Sequence, residues 1–348
     1  MKTVHFGKSV ISDNGPCFII AEIGHNHQGK LETALEMIKV AANCGVNAVK
    51  FQKRDNKSLY TKEFYNKPYD NENSYGATYG EHREYLEFGW DEYVEIMNCA
   101  EENGVEFMAA AFDFKSVDFL EKLGITSYKI ASGDLTNTPL LKYVATLGKP
   151  MFVSTGAATF DEIRIAYETI RPHNDKICIL HCIAEYPVEY RNLNLRIVKV
   201  LKREFPDAII GYSSHDNGIL APVIAYMLGA RVVEKHFTLN RSWKGTDHKF
   251  SLEPEGLRKQ VRDLNRVDIS LGDEERVVYD FEKEARNKMG KGIYTSEPLS
   301  AGTILTRNDI IFKTPANGVP PYLADKIIGR KLKVDLNEEE PISLDFLE

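Results

Sequence analysis

The chain has 348 residues, 43% apolar and 27% charged, with a formal net charge of −7 and a pI of about 5.8. That length suits one barrel-sized domain plus a small module. The acidic balance leaves no electrostatic footprint for nucleic acid or an anionic membrane, so an anionic substrate would need positive charge gathered in a pocket.

The opening stretch "MKTVHFGKSVISDNG" has no apolar core of signal-peptide length. No apolar run is long enough to span a bilayer. The five cysteines, Cys17, Cys44, Cys99, Cys178 and Cys182, are scattered and form no CxxC pair, which suits reduced thiols in a cytoplasmic protein.

Short apolar runs then alternate with helical patterns. The runs are "CFIIAEIG" (17–24), "AVKFQK" (48–53), "VEFMAAAFD" (105–113), "SYKIASGD" (127–134), "MFVSTG" (151–156), "ICILHCIA" (177–184), "AIIGYSSHD" (208–216) and "VVEKHFT" (232–238). Segments such as "LETALEMIKVAANCG" (31–45) and "NTPLLKYVATLG" (137–148) separate them and end in Gly, a frequent helix terminator. This alternation predicts an α/β protein built on a (β/α)8 TIM barrel; a doubly wound open sheet gives a similar pattern. Polar residues favour the barrel, because they gather toward the C-terminal end of every run: Glu22, Lys50, Asp113, Lys129 with Ser132 and Asp134, Ser154, His181, Ser213 with His215, and Glu234 to His236. Barrel active sites are built at that rim.

The second connection, Arg54 to Trp90, is oversized and rich in Tyr and Phe. Its aromatic density argues for an ordered flap or a lid. After the helical stretch 252–272 the texture changes. We expect a barrel over 1–272, a charged helical linker over 273–289, and a compact, mostly β domain over 290–348, where turn signals are dense.

Several residue sets carry chemistry. His215 and His236 end what we count as neighbouring strands, about 5 Å apart, within reach of one divalent ion; two satisfied rim histidines fit equally. Imidazole nitrogens suit Mn, Fe, Co or Zn. Lys50 and Lys129, flanked by apolar residues, suit a phosphate ligand, a carboxylate partner or a Schiff-base amine. Ser132 and Ser154, on "SGD" and "STG", suit an oxyanion nest, or ordinary turns. Glu22 fits a general base, a hydroxyl acceptor, a metal neighbour, or an ion pair to one of the lysines. His25 and His27, two apart on a turning loop, need not face the same way. Glu234 and Lys235 interrupt a buried strand, and the sequence does not separate their roles.

Taken in order, "AEIGHNHQG", "VKFQ", "YKIASGD", "VSTG", "HCIAEYP", "IIGYSSHD" and "EKHFT" resemble the sialic acid synthase family, which includes N-acetylneuraminate, legionaminate and pseudaminate synthases. The C-terminal segment is similar to that family's antifreeze-like (SAF) domain. The resemblance implies condensation of phosphoenolpyruvate with an open-chain N-acylated amino sugar, with water addition and phosphate release. It implies a divalent metal, foremost Mn2+ with Mg2+ or Co2+ as options, on His215 and His236. It implies phosphoenolpyruvate contacts at Lys50, Lys129, Ser132, Ser154 and Ser213, sugar contacts at Glu22, Tyr186 and Asp247, and a carboxylate near the reacting centre at Asp134, where many members carry Glu. It further implies a domain-swapped homodimer whose SAF domain caps the partner's site. Glu22, Lys129 and Asp134 are thus the catalytic candidates. Two departures matter. Ala110 replaces a hydroxyl residue near the phosphate. Thr314, in "KTPANG", stands where the family places an arginine that reaches the N-acyl group, which opens the choice to N-acetylmannosamine, a bacillosamine-derived sugar or an unacylated hexose. A Schiff-base aldolase using Lys129, a sugar-binding protein and a metallohydrolase are the rival readings.

Overall fold

A computed structural model describes residues 2–348. By contacts the chain divides into two units, Met1–Gly272 and Asp273–Glu348.

The first unit opens with a hairpin that the sequence reading did not single out: β1 (Thr3–Phe6) pairs antiparallel with β2 (Ser9–Ser12). Eight parallel strands follow: β3 (Phe18–Gly24), β4 (Ala48–Lys53), β5 (Glu106–Ala111), β6 (Tyr128–Ile130), β7 (Met151–Ser154), β8 (Ile177–Cys182), β9 (Ile209–Ser214) and β10 (Val232–His236). Each of the eight apolar runs contains one of them. They close into a barrel, with β10 pairing β3 as well as β9. The expected TIM barrel is therefore the fold, and the open-sheet alternative is excluded.

Closure follows from the two-residue alternation of each strand. Outward residues such as Ile19, Val49, Phe107, Val153, Ile179 and Val233 pack under the surrounding helices. The amphipathic helix Leu31–Asn43 buries Ala34, Met37, Ile38 and Ala41 against that layer. Inward residues change character along the barrel axis. At the N-terminal end Phe18, Ile20, Ala48, Met108, Phe152, Cys178, Leu180, Ile209 and Val232 form one apolar cluster. The hairpin's Val4, Phe6 and Ile11 join it, and the Phe6 ring lies 5.5 Å from Phe18 and 5.6 Å from Phe152. The hairpin thus stoppers the barrel floor. Two residues further along, the same inward rows carry Glu22, Lys50, Ser154, Cys182 and Glu234, and four beyond Ile209 they carry Ser213.

The excursion after β4 is ordered by its own aromatics. Short helices at Asn56–Leu59, Lys62–Tyr65 and Tyr79–Tyr85 gather Tyr60, Phe64, Tyr69 and Tyr79, whose ring centroids lie 4.8 to 5.6 Å apart in contacting pairs. The excursion is pinned to the loop after β10: the Tyr75 hydroxyl donates to the Lys244 carbonyl at 2.6 Å, and Gly245 N–H donates to Asn73 Oδ1 at 3.0 Å.

The second unit begins with the helix Asp280–Met289. Strands β11 (Gly292–Thr295) and β12 (Ile310–Lys313) pair antiparallel. Isolated bridges and turns supply the rest, around a core of Ile293, Leu305, Ile310, Ile327, Leu332 and Ile342. Gly292 and Gly318 allow close backbone approach there: a Cβ on Gly318, at φ +73°, would meet the Ile342 carbonyl at 2.5 Å. No helix among the described residues is long and apolar enough to cross a membrane.

Candidate active site

The polar ends of the inward rows line a cavity of about 790 Å³ at the C-terminal mouth of the barrel. At its base is a buried network of four charges. Lys50 Nζ lies 2.6 Å from Glu22 Oε2 and 3.6 Å from Glu234 Oε1, and Lys129 Nζ lies 3.1 Å from Glu234 Oε1. Strand register produces this arrangement, since Glu22 is directly paired with Lys50 on one side and His236 on the other. Ser213 Oγ donates to Glu234 Oε1 at 3.0 Å, and Gln52 Nε2 donates to Glu22 Oε1 at 2.6 Å.

The energetics of the four groups differ. Burial works against the Glu234 carboxylate, but Lys129 and Lys50 outweigh it and hold that group at about 2. Burial raises Glu22, and Lys50 only partly opposes the shift. Burial depresses Lys50, yet Glu22 and Glu234 turn the net shift upward. For Lys129, burial prevails over Glu234 and the ammonium is lowered.

Glu234 and Lys235 therefore divide by face. Glu234 points into the barrel. Lys235 points outward, fully buried, where its ammonium donates to Ser214 Oγ at 2.9 Å and to the Asp216 carbonyl. Lys235 anchors the loop after β9 and does not line the cleft. His181 is likewise outward and bonds the Leu193 carbonyl at 2.8 Å. Asp113 caps the helix Phe114–Leu123 and also accepts from Asp55 N–H at 2.8 Å. Clustering at strand ends flagged all three, but side-chain parity and capping assign them to structure.

His215 and His236 do end adjacent strands, with ring centroids 5.4 Å apart. The His215 Nδ1 contacts the Ile183 carbonyl at 2.7 Å. A carbonyl only accepts, so Nδ1 carries a proton, and in the neutral tautomer this leaves the lone pair on Nε2. His236 Nδ1 has no hydrogen-bond partner and lies 3.7 Å from Asp247 Oδ2. Burial lowers His236 to about 4, keeping the ring neutral. A metal–nitrogen bond of about 2.1 Å puts an ion roughly 3.2 Å from a ring centroid, so rings sharing one ion have centroids about 4.5 to 6.4 Å apart. The observed spacing and the free lone pairs fit a divalent ion. Among the described residues no group of three or more His, Cys, Asp or Glu forms a complete cage, so further coordination would come from water or substrate. Phe250 and Tyr186 wall the pair, with centroids 4.8 Å from His236 and 4.2 Å from His215 respectively.

Of the sequence-derived candidates, Glu22, Lys50, Lys129, Ser132, Ser154, Ser213, Tyr186, Asp247, His215 and His236 all line the cleft. Ala110 lines it too. Ser132 opens the turn after β6 and Ser154 ends β7: Gly156 N–H donates to Ser132 Oγ at 3.0 Å, while Ser154 Oγ is buried without a partner. Asp134 is not a lining residue. It sits in the turn after β6 with Asn137 Nδ2 3.4 Å away, and burial raises it to about 6. Thr314 belongs to the second unit, where the Lys291 ammonium donates to its hydroxyl. His25 and His27 diverge: His27 stacks on Phe88 at 4.2 Å, and His25 meets Arg54 and Arg83.

The sequence reading missed Gln52, Arg54, Arg83, Asn73 and Lys249, all of which line the cleft. Gln52 and Arg54 were within reach, because they continue the every-second-residue row of Lys50. Arg83 and Asn73 arrive on the excursion and carry no strand parity.

The fold and site define a (β/α)8 barrel with two buried lysines and two adjacent imidazoles lining one cleft at its mouth. The chain belongs to the NeuB family, whose model matches residues 37–276, and it carries a SAF domain over residues 290–348. It is 39% identical to the N-acetylneuraminate-9-phosphate synthase of Homo sapiens, over 94% of this chain and 91% of that one. It is 35% identical to the N,N'-diacetyllegionaminic acid synthase of Legionella pneumophila, over 92% of each chain. Among solved structures, the N-acetylneuraminic acid synthetase of Leptospira borgpetersenii, in complex with citrate, superposes with a TM-score of 0.71 at 31% identity, over 83% of this chain and 97% of that one.

Proposed function

We propose that this chain is a nonulosonic acid synthase, a transferase that condenses phosphoenolpyruvate with an open-chain N-acylated amino sugar. The observation that carries the reading is the set of unpartnered polar atoms in one cleft, Ser154 Oγ, Glu234 Oε2 and His236 Nδ1, beside two buried lysines. Buried polar atoms of a native protein normally have partners, and an anionic substrate together with a divalent ion would supply them.

Lys50 and Lys129, with Ser132, Ser154 and Ser213, hold the enol phosphate and aim its C3 at the aldehyde carbon, so that positioning supplies much of the rate. His215 and His236 would hold a divalent ion, Mn2+ foremost, which when bound supplies Lewis-acid polarisation of the aldehyde oxygen. The new bond joins C3 of phosphoenolpyruvate to C1 of the sugar, and the aldehyde oxygen gains a proton. Water adds at C2 and loses a proton; the tetrahedral adduct then expels phosphate and leaves the keto acid. Glu22 is the better placed proton carrier, since it lines the cleft between Lys50 and His236, and burial raises its carboxyl above the ordinary range. Asp134 is set back from the lining.

Two chains would work as a homodimer. Exposed Val277, Val278, Tyr279 and Phe281 offer apolar surface for association. The five free, buried cysteines suit a cytoplasmic enzyme. Thr314 leaves the acyl contact open, so the sugar is the least constrained substrate.

The test is phosphate release from phosphoenolpyruvate with Mn2+ and a sugar panel: N-acetylmannosamine, a 2,4-diacetamido-trideoxyhexose and mannose. Release should require one sugar, stop with EDTA and return with Mn2+. Turnover that survives exhaustive chelation, with borohydride trapping at Lys129, would replace this reading by the Schiff-base aldolase.

A further inference from the structure

We infer that Lys235 is a positioning residue for the imidazole pair: tied to Ser214 and Asp216 behind the cleft, it sets the spacing of His215 and His236 and thereby the affinity for a divalent ion. This assignment rests on the metal part of the synthase reading.

The starting point is a pair of charges in an apolar layer. The outward side chains of β9 and β10 include Ile210, Tyr212 and Val233, packed under the helices. Lys235 and Asp216 lie among them, both fully buried, with Lys235 Nζ 3.5 Å from Asp216 Oδ1. A buried ion pair is commonly no more stabilising than apolar residues of the same volume, because desolvation offsets the attraction. Stability alone therefore gives little reason for the pair. What it supplies is direction.

The ladder between β9 and β10 ends at the pair Ser214 and Lys235, one residue short of both imidazoles. Beyond that point each histidine is held from its far side. On the β3 side, Phe237 N–H donates to the Glu22 carbonyl at 2.8 Å, and the His236 carbonyl accepts from Leu252 N–H at 2.8 Å. His215 leans on the loop after β8, through Nδ1 to the Ile183 carbonyl at 2.7 Å and through its own carbonyl, which accepts from Val188 N–H at 3.2 Å.

The Lys235 ammonium closes the gap between them. It comes from the residue before His236, and it donates to Ser214 Oγ at 2.9 Å and to the Asp216 carbonyl, so it grips both residues that flank His215. Asp216 Oδ1 in turn accepts from the Tyr212 hydroxyl at 3.1 Å and from the Ser214 hydroxyl, which fastens the loop to its own strand. Two weaker contacts cross the same gap. Arg241 Nη2 reaches Asn217 Oδ1 at 3.2 Å on exposed surface, and the Phe250 ring packs against both imidazoles without a directional bond. The tolerance is small. From the observed centroid separation of 5.4 Å, an outward drift of about 1 Å by the loop after β9 takes the rings to the limit at which two metal–nitrogen bonds can share one ion. Lys235 itself does not line the cleft, so its influence reaches substrate only through the two histidines.

The test uses the full chain, stripped with EDTA, desalted and titrated with Mn2+ alone while the free ion is followed by EPR. Lys235→Met keeps the buried stem and removes every ammonium contact; it should weaken Mn2+ binding by about 10- to 100-fold, the scale of outer supports to metal ligands. Ser214→Ala removes one contact and should weaken binding by about three- to tenfold. In phosphate-release assays Lys235→Met should need correspondingly more Mn2+, while the KM for phosphoenolpyruvate at saturating Mn2+ stays within about twofold of the wild type. A folded Lys235→Met whose metal-free Tm falls but whose Mn2+ affinity is unchanged overturns the inference, because the lysine is then only a brace for the fold. If Lys235→Met does not fold, Ser214→Ala decides by the same criterion, and unchanged Mn2+ affinity there overturns it. A raised KM for phosphoenolpyruvate with Mn2+ affinity intact also overturns it. A wild type that binds no Mn2+ sinks the metal reading and the inference together.

Discussion

Replacing Lys129 by Met keeps the buried stem and deletes the charge, which makes it a direct probe of the four-charge network. At an effective dielectric of about 20, an ion pair at 3.1 Å is worth roughly 5 kcal/mol of Coulomb energy and one at 3.6 Å slightly less. These are the Lys129–Glu234 and Lys50–Glu234 separations. Removing one member of a buried pair typically costs about 3–5 kcal/mol, because the other charge is stranded. Glu234 would retain Lys50 and the Ser213 hydroxyl, so the lower end, about 3 kcal/mol, is expected here, or a fall in Tm of roughly 6–12 °C. Both tryptophans, Trp90 and Trp243, lie in the first unit, so their fluorescence during urea or thermal unfolding reports on the barrel alone. Glu234→Gln should destabilise similarly by stranding the lysines. The double variant should lose at least about 2 kcal/mol less than the sum of the two. Additivity within about 0.5 kcal/mol would show that Lys129 and Glu234 do not share a charge pair, and the proposed cradle would lose its organising contact.

Two other outcomes follow from the structure. Burial raises the Asp134 carboxyl from 3.8 to about 6, so the folded chain holds that proton more tightly than the unfolded one. The residue is neutral to stability below about pH 4, and its cost grows as pH rises to 6 and stays constant above. At about 1.4 kcal/mol per pH unit the gap would be about 3 kcal/mol, and solvent reaching this loop reduces it to about 1–2. Asp134→Asn should therefore match the wild type at pH 4 and be more stable by about 1–2 kcal/mol at pH 7.5; equal stability of the two at pH 7.5 would count against a buried carboxylate. Gly211 faces the barrel interior, where an added Cβ would press on Leu180 and lie 2.7 Å from the Val232 carbonyl oxygen. Backbone cannot yield as a side chain does, so Gly211→Ala should cost about 1–3 kcal/mol in the same fluorescence assay; a change under about 0.5 kcal/mol would mean that the floor is loosely packed.

The pattern of apolar runs determined the barrel because each strand must bury its outward face under a helix, and that requirement is written locally as alternation. The same local rule placed Glu22, Lys50, Ser154, Ser213, Glu234 and His236 near the mouth. What it did not decide is which polar strand-end residue faces the cavity. His181, Asp113 and Lys235 share the position of true lining residues but bond to the Leu193 carbonyl, a helix N-terminus and the Asp216 loop. Only the closed register distinguishes them, since it sets which neighbour each side chain meets. Pairing across strands far apart in sequence, such as β10 with β3, also made the charge network, bringing Lys129 to Glu234 over 105 positions. Arg83 is the extreme case. Nothing in its helix marks it, and its place in the cleft exists only because the excursion folds back over the barrel and sets it beside His25.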